Sequence, residues 1–372
     1  MLKAFKYEIY PNKEQTTLFA KTFGCTRFIW NYMLNDKIEY YRKNKAMLYN
    51  TPAQYKDAYP FLKEIDSLAL SNVQMNLEQA YKNFFENRDH FGFPNFKSKK
   101  HCKLSYTTNF INNNIRIEEG KLKLPKLGLV KINLHQPYNG KIKSATISKT
   151  KSGRYFVSLL CEVDEIKKLP KTNQSIGIDL GLTDFIILSN GEKVPNPRFL
   201  VQSSKKLRRE QRKLGKMISL AKKKGIPLDE CKNFQKQKLK VAKLHFKIAN
   251  QRKDFLHKLS IALVRDYDLI CVEKLNVKGM LKNHNLAKSI SDASWSTFIN
   301  FLTYKCEWYG KEIIKIDTFY PSSKRCNTCG HKNTELKLKD RVWICPECGT
   351  ELDRDINAAK NILEEGLRIK LA

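Results

Sequence analysis

The stretch SIGIDLGLTDFIILSNG, residues 175–191, sets a carboxylate at the end of an apolar strand. Period-two alternation puts Ile176 and Ile178 on one face, with Gly177 and Asp179 on the other. Leu180-Gly181 then allows a tight turn into a second strand. A carboxylate there is costly to bury unpaired, so it must be solvated, hydrogen-bonded or bound to metal. Taken alone, such an Asp is equally a turn cap.

The same arrangement recurs in DLICVEKLN, residues 268–276, where residues 269–272 form an apolar strand core and Glu273 follows it. A third acid lies in ELDRDINAAKNI, residues 351–362. Asp353 suits a helix N-cap, with Arg354, Asp355 and Ile356 opening the helix. The N-terminus of a helix favours negative charge, which by itself accounts for both aspartates. The small Asn357-Ala358-Ala359 face, however, would let that helix sit tightly against strands, so that Asp355 reaches the strand-end acids. Phosphodiester hydrolysis needs an activated water and neutralised attacking and leaving oxygens, which two divalent ions about 3.5–4 Å apart provide. Magnesium, or manganese in its place, takes oxygen ligands. Without cations, converging acids would repel and take up protons.

Just upstream, SSKRCNTCGHKN…VWICPECGTEL supplies Cys326, Cys329, Cys345 and Cys348 in a C-x2-C-x15-C-x2-C spacing, with a glycine after each pair. Each pair forms a knuckle whose sulfurs reach one tetrahedral ion. Four thiolates leave no open position, so the expected zinc is structural. A redox dithiol is the competing reading. The other six cysteines (Cys25, Cys102, Cys161, Cys231, Cys271, Cys306) are scattered and read as small core or surface residues.

The 372 residues allow two or three domains and a sizeable core. With 69 Lys+Arg against 37 Asp+Glu, the net charge of +32 points to a polyanionic partner, because each neutralised phosphate releases counterions. No apolar run approaches the roughly 20 residues of a membrane span, and the first residues carry no apolar signal core. A cytoplasmic protein with reduced thiols is therefore expected.

Along the chain, residues 3–10 alternate as a strand, and Pro11-Asn12 starts a helix over the following apolar-periodic run. A second helix covers residues 67–85, after a polar-aromatic loop at 48–55. Residues 11–103 thus form a mainly helical block, closing in the basic loop GFPNFKSKKHCK. From 104 to 165 the alternation is that of an antiparallel sheet or small barrel, which the isolated first strand is expected to join. Residues 167–174 read as a linker. From about 198 to 265 the chain is helical, with 19 Lys/Arg between Lys205 and Lys258 against Glu210, Asp229, Glu230 and Asp254. Leu239, Ala242, Phe246 and Ala249 recur beneath the charges, so one face packs while the other offers a cationic track for phosphates.

Taken in order, GIDLGLTDF, VEKLN, SDASW (291–295), YPSSKRCNTCG and CPECGTELDRDINAAKNI resemble the TnpB family of transposon-encoded, RNA-guided DNA endonucleases, relatives of type V CRISPR effectors. YPNKEQ, AYKNFF, GFPNFK and KLPKLG extend the resemblance through the first half. It implies a multidomain α+β and α/β chain. A RuvC-like nuclease domain of the RNase H fold would occupy 171–320 and 351–372, split by a zinc ribbon at 321–350. A β-barrel-like wedge domain would comprise 1–10 and 104–170, with the helical recognition domain inserted at 11–103. The implied catalytic triad is Asp179, Glu273 and Asp355, holding magnesium. The implied partners are a guide RNA from the transposon end, double-stranded target DNA and its displaced single strand, held by a monomer acting on the prokaryotic nucleoid. In this scheme the protein reads a short flanking DNA motif and base pairing reads the target. Tyr49 and Asn112 are candidates for contacting that motif, and Arg208, Arg209, Arg252 and Lys253 for phosphates. Two alternatives stay open: a guided repressor that never cuts, and a DNA-strand transferase.

Overall fold

A computed structural model describes residues 1–337 and 339–372, which divide into two compact units, 1–165 and 166–372. No helix among the described residues is long and apolar enough to cross a membrane.

The first unit runs β1 (Leu2–Tyr10), α1 (Lys13–Asn44), α2 (Ser67–Glu86), β2 (Leu104–Asn109), β3 (Arg116–Glu118), β4 (Lys121–Leu124), β5 (Gly128–Asn133), β6 (Lys141–Lys149) and β7 (Tyr155–Glu162). The strands form one antiparallel sheet in the order β2-β6-β7-β1-β5-β4-β3. The isolated first strand lies in its middle, with Phe5 opposite Leu159 and Ile9 opposite Ile132. Alternation decides which side chains enter the core: Phe5, Tyr7 and Ile9 are buried with Val130, Ile147 and Val157. Asn12 caps α1 in a reciprocal box with Gln15. A second core joins α1 to α2 through Ile29, Met33, Leu70 and Leu77. The expected loop at 48–55 contains a short 3₁₀ turn, Pro52–Tyr55. Tyr55 is buried there and donates its hydroxyl to Asp36 at 2.6 Å.

The second unit runs β8 (Ser175–Leu180), β9 (Asp184–Leu188), β10 (Lys193–Pro195), α3 (Phe199–Lys223), α4 (Lys232–Asp266), β11 (Leu269–Glu273), α5 (Val277–Met280), α6 (Ala287–Ala293), α7 (Trp295–Tyr309), β12 (Glu312–Ile316), β13 (Val342–Ile344), β14 (Glu351–Asp353) and α8 (Arg354–Leu371). Its main sheet has the order β10-β9-β8-β11-β12. The first three strands are antiparallel, while β11 pairs in parallel with both β8 and β12. Phe185, Phe298 and Leu302 fill the core on one face, and α8 covers β8, β11 and β12.

One sequence expectation needs correction. The charged helical region is a hairpin of α3 and α4, and its seam is Val241 and Ile248 against Leu207. Leu239 and Ala249 are exposed. The buried positions Phe234, Val241 and Ile248 keep a seven-residue spacing, as a two-helix seam demands, and that stripe lies beside the one read from the sequence. The expected linker at 167–174 has no helix or strand and is held to the second unit by hydrogen bonds. Asp268 accepts the amides of Thr172 and Asn173, and buried Lys311 donates to the Pro170 carbonyl and pairs with Asp268.

Candidate active site and cysteine cluster

Asp179 and Glu273 end up side by side because of strand register. Ile178 stands opposite Val272 in a parallel pair, and the two acids come one residue later on each strand. Parallel neighbours lie about 4.8 Å apart with side chains on the same face. The same register puts Gly177 beside Cys271, and α8 crosses there. A Cβ on Gly177 would come within 2.8 Å of the Leu363 nitrogen, and closer still to the Ala359 carbonyl. Gly177 and the small residues of α8 therefore permit backbone-to-backbone contact. Asp355 lies four residues before Ala359, about 6 Å along the helix. Asp179 lies two residues past Gly177, about 6.7 Å along the strand.

Asp179 is coupled electrostatically to each of the other two acids. Burial, followed by the Asp355 charge, pushes Asp179 up to about 6, although the Leu180 amide and the charges of Arg354 and Arg341 oppose the shift. Burial and then the Asp179 charge push Glu273 up to about 7. Asp353 is the N-cap, accepting from the amides of Asp355 and Ile356 at 3.0 Å, and it pairs with Lys193 at 2.6 Å. Asp353 is thereby occupied by the helix start and Lys193, and it is the charge of Asp355 that acts on Asp179.

Asp355 is held by two arginines that the sequence reading did not single out. Arg354 donates to Oδ1 from Nε and Nη2 at 3.2 and 3.1 Å, and Arg341 donates to Oδ2 at 2.9 Å. Arg341 sits at the start of the β13–β14 hairpin, fourteen residues back, so no local pattern could reveal it. The donor set of desolvated, mutually repelling carboxylates fits hard divalent cations, which would remove the repulsion. Among the described residues, only the cysteines form a tight cluster of three or more possible metal donors.

That cluster unites Cys326, Cys329, Cys345 and Cys348, with sulfur atoms within 4.8 Å of one another. Cys326 Sγ is 3.7 Å from Cys348 Sγ, and Cys329 Sγ is 3.6 Å from Cys345 Sγ. A tetrahedral ion with bonds of about 2.3 Å sets its sulfurs roughly 3.8 Å apart, so the cluster fits one. The glycine after each pair adopts positive φ, +80° at Gly330 and +68° at Gly349, and returns its amide to the first cysteine's carbonyl. Trp343 packs against Cys326 and Cys345 in the small core beneath.

The candidate nucleic-acid residues are dispersed. Tyr49 is 87% exposed, and Asn112 occupies a turn at φ +49°. Arg208 and Lys253 are exposed on α3 and α4, and Arg209 pairs with Glu210 at 3.1 Å. Arg252 is already paired. Its guanidinium is engaged by buried Asp292, which also caps α3 through the Leu200 amide. In SDASW, that aspartate and core Trp295 have packing duties.

The family model described as "Probable transposase" matches residues 158–284, that of the "Cas12f1-like, TNB domain" matches 295–362, and a "Helix-turn-helix domain" matches 1–46. The last stretch folds here as β1 followed by α1. The "Putative RNA-guided DNA endonuclease" of Streptomyces pristinaespiralis is 37% identical, over 98% of this chain and 89% of the relative. The Escherichia coli K12 protein "Putative RNA-guided DNA endonuclease InsQ" is 29% identical, over 98% and 92%. A mimivirus "TnpB-like protein L79" is 31% identical over 61% of this chain and 44% of the relative. Among solved structures, a Cas12f1–sgRNA–target DNA complex aligns with TM-score 0.56 at 13% identity, covering 97% of this chain and 98% of that one, a likeness of fold. With the first of these relatives matched along nearly its whole length, the chain belongs to the TnpB family.

Proposed function

We propose that the protein is an RNA-guided DNA endonuclease that hydrolyses phosphodiesters at Asp179, Glu273 and Asp355. The observation carrying this reading is the parallel register that sets Asp179 beside Glu273 at two strand ends, with α8, which opens at Arg354-Asp355, packed closely on the same strands. The strand order, three antiparallel strands followed by two parallel ones, supports a RuvC-like domain of the RNase H type. The relatives' names support guidance by RNA and DNA as the substrate.

Two magnesium ions would supply an activated water and neutralise the leaving oxygen. Asp179 and Glu273 would hold them from the strand ends, with Asp355 closing the set. Arg341 and Arg354 orient Asp355. The four cysteines would hold a structural zinc. A cationic α3 face, with Lys205, Arg208, Arg212 and Lys216 around one groove, suits a phosphate backbone. In the first unit, Arg27, Asn72, Asn76, Lys103 and Thr107 line a groove of about 380 Å³. Its amides and cations suit the flanking motif of a DNA duplex. Tyr49 and Asn112 remain candidates for the same task. The guide would derive from the transposon end, and the protein would act as a cytoplasmic monomer.

The test is to sequence the RNA that co-purifies with the protein and supply a matched target in magnesium. Nicked or linear DNA without joined ends is expected. Asp179→Ala should bind the target and leave it whole. Joined products would support the strand-transferase reading, which one family description favours. A matched target bound but uncut by the wild type would leave a guided repressor.

A further inference from the structure

Two side chains on α8 lie where an amphipathic helix would carry apolar ones. Asn357 is 2% exposed and Asn361 0%. A buried amide is costly unless its groups are paired, and the partners of these two all come from residues 322–327, the approach to the first cysteine knuckle. Asn357 accepts from the Asn327 amide at 2.9 Å and donates to the Arg325 carbonyl at 2.7 Å. Asn361 donates to the carbonyls of Ser322 at 2.7 Å and Arg325 at 2.6 Å, and accepts from the Asn327 side chain at 3.3 Å. Their spacing of four aligns both on one helix face. Cys326 stands between their main-chain partners Arg325 and Asn327, so placing its sulfur also places this seam. At the other end, the Arg354 amide donates to the Arg341 carbonyl at 2.8 Å, and the Arg341 guanidinium holds Asp355. The cysteine module therefore grips the helix start on two sides.

We propose that Asn357 and Asn361 are positioning residues that set Asp355 against the strand-end acids by fastening α8 to the metal-bound cysteine module. The inference rests on the carboxylate site proposed above. It makes the cysteine-bound metal a determinant of cleavage geometry as well as of folding. Leucine branches at Cγ as asparagine does but is bulkier and offers no donor, so Asn357→Leu or Asn361→Leu leaves buried carbonyls unpaired.

The test uses the full chain with its co-purified RNA. Zinc content, RNA binding and Mn²⁺ binding (free Mn²⁺ counted by electron paramagnetic resonance) are measured beside single-turnover cleavage. Each Leu variant should keep one zinc and its RNA, need at least tenfold more Mn²⁺ for half-occupancy, and cut at least tenfold more slowly. Asn327→Ala, at a half-buried site on the module side, removes the side-chain bonds to Asn361 and to exposed Glu364 but keeps every main-chain partner of the two asparagines, and should shift both in the same direction by about threefold. It decides the question should the Leu variants fail to fold. Unchanged Mn²⁺ affinity and rate in the folded variants overturn the proposal. Asp355→Asn separates the two layers. If it cuts normally, the carboxylate reading itself fails; if it is inactive while the asparagine variants match wild type, only the clamp does.

Discussion

Replacing Gly177 with alanine tests the packing that brings the acids together. The added methyl would stand 2.8 Å from the Leu363 nitrogen, 2.9 Å from its Cβ and closer still to the Ala359 carbonyl, where ordinary contact begins at 3.4 Å. All but one of these atoms are backbone, so no rotamer change relieves the overlap, and α8 must retreat by roughly 1 Å. Overpacking of this kind costs about 1–3 kcal/mol, which for a unit of this size lowers Tm by roughly 3–10 °C. The kinetic effect is larger. Asp355 is only about 6 Å from the point of contact, and a displacement near 1 Å at a reacting centre can cost about a hundredfold. Single-turnover cleavage at 25 °C should therefore fall about a hundredfold, with RNA binding unchanged. Gly366→Ala is the control. Its methyl would meet the Cys271 side chain, 2.7 Å from Cβ, two turns further from Asp355 than Ala359 is. It should lower Tm with a smaller loss of rate, and Cys271→Ala should recover part of that stability. Wild-type cleavage by Gly177→Ala, or rate losses equal to those of Gly366→Ala at matched stability, would refute the reasoning.

The acids also predict a pH dependence. Asp179 and Glu273 bind protons more tightly folded than unfolded, so their contribution to stability is full below the ordinary carboxylate pKa and is lost as pH rises through about 6 and 7. Protein freed of magnesium but retaining zinc should lose Tm between pH 5 and 7.5, and Asp179→Asn should flatten that slope; an already flat wild-type profile would contradict the burial argument. Lys311→Met leaves Asp268 without its buried cation and should destabilise the protein by about 3 kcal/mol, read from denaturant unfolding. No change there would mean that the amides of Thr172 and Asn173 suffice. Arg252→Gln should lower Tm through the loss of Asp292's partner while leaving the salt dependence of RNA binding unaltered. A shallower salt slope would restore Arg252 as a phosphate contact.

Local pattern revealed those parts of the fold whose cause is local. The alternation around Asp179 and Glu273, the N-cap at Asp353, the small face at Ala358-Ala359 and the cysteine spacing all describe geometry fixed within a few residues. What escaped was set by distant partners. Arg341 reaches Asp355 across a hairpin, Arg252 is claimed by an aspartate forty residues away, and Asp268 anchors the supposed linker. The α4 seam was misplaced because alanines and leucines on neighbouring stripes satisfy the same periodicity, and only the facing helix selects among them. A positive charge read from sequence carries no mark of whether it is free or already engaged.

The central place of β1 in the first sheet has a consequence in time. Its residues 2–9 pair with 155–162, so the strand leaves the ribosome long before its main partner exists. At 5–20 residues per second the interval is about 7–30 s, and until β5 follows, for most of it, a strand carrying Phe5, Tyr7 and Ile9 has no ladder to join. Chaperone capture, or misregistered pairing with a neighbouring nascent chain, competes with folding in that interval. The yield of folded first unit should consequently depend on how quickly translation reaches β7.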